Sequence, residues 1–294
     1  MNKTAKALLL SAGIALLAGL CIAQRSPREL PPHAINEETR VTLDLPVWTN
    51  PPAFQKDVFT FVRIKYSVSG KYGFGHDPLE RWQIDSPDSD INFSYRLQQM
   101  TSMKVNPDGL FLELTDKELF NYPFIYIVEP GRLTFTDEEV PILRKYLLNG
   151  GFLMADDFWG ETAPRGQRGH ANEWGNFHQE MKRVFPDRDY VELDLTHAIF
   201  HCVFDLKAKP QVPGLPHAQR NRGTGITWER EDAKEPHYRA FFDDKGRMCA
   251  ILCHNTDFGD GWEREGQDEA YFHEFSEKQA FPMGINIIFY AMTH

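Results

Sequence analysis

"NGGFLMADDFWGE", residues 149–161, is the stretch whose reading decides the fold. Two glycines end a helix, "FLMA" runs apolar, and Asp156, Asp157 and Trp159 follow at once. An apolar run this short, bounded by glycine and acid, reads as a strand covered on both faces, as in parallel sheets. The segment before it agrees. Thr136 with Glu139 makes a capping box, Val140, Leu143 and Leu147 form an apolar stripe, and Pro141 sits near the start. Gly150 supplies the left-handed stop.

Working outward, "PFIYIVEPG" carries an apolar run from Phe124 to Val128 and predicts a second doubly covered strand. "VFTFVRIKY" alternates, with Arg63 and Lys65 opposite Val62, Ile64 and Tyr66, and opens the folded region at Val58. "INFSYRLQQMTSMKV" repeats Phe93, Leu97, Met100 and Lys104 at helical spacing, with Asp88 or Ser89 as cap. "LFLEL" predicts a strand, "TDKELFNY" a helical turn or two, and "NEWGNFHQEMKRVF" an amphipathic helix through Trp174, Phe177, Met181 and Val184. "YVELDL" resumes strand, "HYRAFFDDKGRMCAILCHN" predicts an antiparallel hairpin, and "FPMGINIIFYAMTH" a closing helix with Pro282 in its first turn. This alternation predicts an α/β fold with a doubly wound, mostly parallel sheet and an antiparallel hairpin near the C-terminus.

The ends and the composition bound the function. Residues 1–23 have two lysines and then an uncharged apolar run, the pattern of an export signal, with an uncleaved anchor as the alternative. Residues 24–57 form a proline-rich arm, and 58–294 a single folded domain. These features predict an exported, periplasmic or envelope-associated protein that meets a membrane only through an uncleaved N-terminus. Loss of Lys3 and Lys6 with the signal would leave 30 basic residues against 42 acidic ones, a formal charge of −12. Phosphate backbones bind to clustered Lys and Arg, so nucleic acid is excluded as a partner. Cys249 and Cys253 stand four strand residues apart, roughly 13 Å, and cannot pair with each other. Cys202 could reach one of them, but unpaired buried thiols are the expectation.

In open α/β sheets ligands bind outside the carboxyl ends of the strands, which puts Asp156 and Asp157 where a pocket would be. Adjacent strand residues point apart, so one is expected to face the crevice while the other caps the next turn. His197 and His201 could join Asp157 around a divalent metal, though the blander expectation is that His197 caps a turn and His201 is structural. Trp82, Trp159, Trp174, Trp228 and Trp262 each stand near an acid, a pairing that suits sugar rings only if several converge on one groove. "HNTDFGDGW" offers Asp257 and Asp260 without the oxygen pattern of an EF-hand, and is expected to be a loop bordering the crevice.

"FTFVRIKY", "DSPDSDINFSYRLQQMTSMKV", "YPFIYIVEPG", "LRKYLLNGGFLMADDFWG", "VFPDRDYVEL", "HAIFHCVFDL" and "FPMGINIIFYAMTH" together resemble a bacterial family, domain of unknown function 4159, across residues 58–294. The resemblance implies an exported protein with a fold similar to class I glutamine amidotransferases, and no assigned activity. It marks Asp85, Asp90, Asn92, Arg96, Asp156, Asp157, Trp159, His197 and Phe200 as hallmark positions. "ETAPRGQRGHANEW" is longer than the family pattern. No Cys or Ser lies between Phe152 and Thr162, so the thiol that such enzymes use is missing. The expectation is a non-catalytic ligand-binding or scaffold domain for a small molecule or an envelope protein, with a pocket of Asp85, Arg96, Asp156, Asp157, Trp159 and His197 and no required cofactor. The rival is a carboxylate- or metal-assisted hydrolase of envelope glycan or peptide.

Overall fold

The computed structural model describes residues 48–54, 57–68, 81–162 and 172–294. The expected signal segment, most of the proline-rich arm and the middle of the "ETAPRGQRGHANEW" stretch lie outside them. Seven strands form one sheet: β1 (Val62–Lys65), β3 (Leu110–Glu113), β4 (Phe124–Val128), β6 (Phe152–Asp156), β7 (Val191–Glu192), β8 (His237–Phe242) and β9 (Met248–His254). β2 (Ser67–Val68) and β5 (Leu133–Thr134) pair apart from it. The main order is β3-β1-β4-β6-β9-β8-β7. The first five strands in that order are parallel, and the predicted hairpin, β8 with β9, adds the antiparallel edge.

The apolar strands are continuous because both faces are covered. Phe124, Tyr126, Val128, Phe152 and Met154 enter one core, whereas Ile125, Ile127, Leu153 and Ala155 enter the other. Helices α1 (Asp88–Met100) and α6 (Phe281–Thr293) feed the first core. Helices α2 (Glu139–Leu148) and α3 (Glu173–Val184) feed the second. The Thr136 box closes in both directions, with the Glu139 amide donating to Thr136 Oγ1 at 3.2 Å and the Thr136 amide to Glu139 Oε2 at 2.7 Å. Gly150 takes φ +106°, as its stop role requires. Two short helices, α4 (Leu215–Arg220) and α5 (Phe258–Glu263), lie near the carboxyl edge, and a π-helix, Phe272–Ala280, runs into α6.

Three expectations change. Asp88 and Ser89 do not cap α1; both lie inside it, and Pro87 holds the cap position without a side-chain bond. The alternation in β1 does not mean an exposed polar face: Arg63 is fully buried beneath α1, where its Nε donates to Asp90 Oδ2 at 2.9 Å. The "HNTDFGDGW" segment is α5 with Asp257 as its cap, accepting from the Asp260 amide at 2.7 Å. Cys202, Cys249 and Cys253 are all unpaired.

Candidate functional site

Renumbered by chain position alone, the parallel strands run 2-1-3-4-5, so the connections depart in opposite directions from the gap between β1 and β4. That switch point is where a doubly wound sheet leaves a crevice at its carboxyl edge. The chain fills this edge with acids. Glu129 follows β4, Asp157 follows β6, and Asp257 follows β9. Asp85 arrives from the connection before α1, which Arg63 pins by donating to the carbonyls of Trp82 at 3.1 Å and Ile84 at 2.7 Å.

The backbone there is strained. Asp85, Glu129, Asp157 and Asn255 are the non-glycine residues with positive φ, at 64°, 46°, 55° and 63°, among the described residues. Each such residue costs about 1–3 kcal/mol, a cost that concentrates at functional sites.

A cleft of about 220 Å³ opens at this edge, lined by Arg81, Glu129, Arg132, Asp157, Trp159, Glu173, Glu229 and Arg230 with Gly131. Its walls are tied together. Glu173 accepts from the Trp159 amide at 2.7 Å, Glu229 from the Gly214 amide at 2.7 Å, and Asp157 from the Trp159 indole at 3.1 Å. Arg81 pairs with Glu129. Burial pushes Glu129 up to about 7 against the pull of Arg81. Asp157 is raised well above the carboxylate range, first by burial and then by the charges of Glu129 and Asp85.

Behind the cleft two carboxylate triads share Asp85. Oxygens of Asp85, Asp157 and Asp257 lie within 4.8 Å of one another, as do those of Asp85, Asp260 and Glu263. Burial raises Asp85 and Asp257 strongly, with further upward push from neighbouring acids, and brings Glu263 to about 8. Either triad has the donor set of a hard divalent cation.

Of the adjacent aspartates, Asp157 faces the cleft while Asp156, fully buried, accepts from the Phe258 amide at 2.7 Å and fixes the start of α5. Asp85, Asp157 and Trp159 come together at this edge. Arg96 does not line the cleft; it pairs with Glu265 and lies over Phe272 and Phe281. His197 caps the turn Ala198–Phe200, its Nδ1 accepting from the Ile199 amide at 3.2 Å, and its ring packs tilted against Tyr290. His201 bonds Asp205 at 2.6 Å and the Leu195 carbonyl at 2.6 Å. Neither histidine belongs to a group that could hold a metal among the described residues.

The tryptophans do not converge. Trp159 alone of the described tryptophans lines the cleft, Trp262 is core, Trp82 packs on Phe111 and Trp174 lies under Arg239. The sequence pattern did not single out Glu129 or the three cleft arginines, offered Glu173 and Glu229 only as acids beside tryptophans, and placed Asp257 in a loop bordering the crevice, where it caps α5. Glu129 had a readable signal, because it follows an apolar strand just as Asp157 does. Glu229 had only its place beside Trp228 and Arg230 had no signal, since the chain between α4 and β8 carries no periodicity that would bring it to the edge.

No curated protein matches this sequence. A family model described as "Domain of unknown function (DUF4159)" matches residues 60–292, from before β1 to the last turn of α6. A match over that much of the chain places the protein in a family: it belongs to DUF4159.

Proposed function

We propose that the protein is an exported, envelope-associated ligand-binding domain on a sheet similar to that of class I glutamine amidotransferases, with no acyl-transfer thiol. The observation that carries this reading is the charged cleft at the switch point, with Arg81, Arg132 and Arg230 set among Glu129, Asp157 and Glu173. Arginines offer forked donors to carboxylate or phosphate, and the acids offer acceptors to hydroxyl or ammonium groups. A volume of about 220 Å³ is below the range of roughly 300–1,000 Å³ for drug-sized ligands. The fitting class is therefore a small, oxygen-rich anion the size of one acidic sugar or a short peptide, as envelope glycan and peptide turnover releases.

A thermal-shift screen with acidic monosaccharides and short acidic peptides tests this, because a ligand that binds the native state raises the melting temperature. At least one such compound should stabilise the wild type, and Arg230→Gln should lose most of the shift. Equal shifts in both proteins would remove the cleft as the site.

One feature favours a hydrolase as the second reading. Asp157 stands at a strained strand end inside the cleft, where burial and neighbouring acids favour its protonated form and suit it to act as a general acid, with Glu129 near neutrality as the second proton donor or acceptor. Turnover of a bound compound that Asp157→Asn abolishes without weakening binding would select it.

A further inference from the structure

We propose that Asp85, Asp157 and Asp257 hold one divalent cation in the floor of the cleft. The two triads that share Asp85 are not equivalent. In the second, Arg264 already serves the acids: its Nε donates to Asp260 at 2.8 Å and its Nη2 lies 2.8 Å from Glu263, while the Leu215 amide donates to the other Asp260 oxygen at 2.5 Å. In the first, among the described residues, no arginine or lysine donates to the acids. Asp157 receives the neutral indole of Trp159, and Asp257 receives one amide. Asp85 Oδ2, common to both triads, is buried and has no hydrogen-bond partner; Glu263 Oε2 in the second has no hydrogen bond either but lies against the Arg264 guanidinium.

An acceptor left in that state is costly, more so when charged, and buried native oxygens are almost always satisfied. A dication answers all three carboxylates at once. The donor atoms are all oxygen, which selects Ca²⁺, Mg²⁺ or Mn²⁺ over softer metals.

The backbone makes room for this arrangement. A Cβ on Gly259 would overlap Asp85 Oδ2, so glycine at that position lets the carboxylate lie against the start of α5. Because Asp157 belongs to both the triad and the cleft wall, a cation held here would present its remaining coordination positions toward the cleft. An anionic ligand could then bridge the cation and the arginines. The assignment adds to the cleft reading and stands without it.

Calorimetric titration of the full chain, stripped with EDTA, with CaCl₂, MgCl₂ and MnCl₂ decides the matter. At least one cation should bind once per chain at millimolar affinity or better, the range of extracellular calcium modules at its weak end. Asp85→Asn and Asp257→Asn should weaken it at least tenfold, and Glu263→Gln by less than threefold. Gly259→Ala, which keeps every carboxylate, should weaken it as well. Asp85→Asn should melt in EDTA no lower than the wild type, because it replaces a buried carboxyl crowded by other acids with a neutral amide of the same size, and this separates loss of the site from misfolding.

Binding by none of the three cations, or a loss in Glu263→Gln as large as in Asp257→Asn, overturns the assignment. Loss of cation binding with the Arg230→Gln effect intact would overturn this inference alone.

Discussion

Arg63 and Asp90 are both fully buried, and their pair holds the connection that delivers Asp85 to the cleft. Removing one member of a buried ion pair strands the other charge, which costs about 3–5 kcal/mol. Asp90→Ala should therefore lower unfolding free energy by about that amount in urea titration, far more than a surface substitution.

His254 makes a prediction about pH. Its Nδ1 accepts from Arg239 Nη1 at 3.0 Å, so the imidazole must stay neutral there, and burial followed by the Arg239 charge holds its pKa well below the usual value. In the unfolded chain the same ring protonates near pH 6.5. The unfolded state thus binds more protons between its pKa and the lower folded one, so this residue's contribution is lost as pH falls below about 6.5. Melting temperatures of the wild type from pH 7.5 to 5 should drop more steeply than those of His254→Gln.

These two residues also mark what sequence conceals at this scale. A polar residue in an alternating strand reads as solvated, and nothing local to Arg63 says that a buried aspartate from α1 awaits it. Asp157 was legible because a strand end is a position that can be counted.

Among elements, α1 and α6 meet at Gly284, where a Cβ would come within 2.5 Å of the Phe93 ring. Overpacking a close contact of this kind costs about 1–3 kcal/mol. Gly284→Ala should destabilise the protein by that amount in chemical denaturation, with the denaturant slope unchanged. Strands β4 and β6, helix α3 and the hairpin were legible because burial on two faces, one face or alternate residues leaves a period in the sequence. The short α5 and the π-helix before α6 leave none. α5 is capped locally by Asp257, three residues before Asp260, but it is placed by Asp156 beneath it, a contact between residues far apart in sequence.

At the scale of the molecule, the sheet order and the acids explain one another. A doubly wound sheet opens at its carboxyl edge between β1 and β4, and the segments that reach this edge carry Asp85, Glu129, Asp157 and Asp257. The family resemblance made Asp85 and Asp157 visible beforehand; their convergence with Asp257 depends on β9 lying parallel beside β6, a pairing that no local pattern encodes. Collecting buried carboxylates at strained positions opposes stability, so the account's central claim is that this edge is built to hold a ligand. Its most direct test is an anomalous difference map from crystals of the full chain soaked in MnCl₂. The account predicts one strong peak within bonding reach of oxygens of Asp85, Asp157 and Asp257. A map with no peak at the cleft floor, or with its only peak at Asp260 and Glu263, would contradict it.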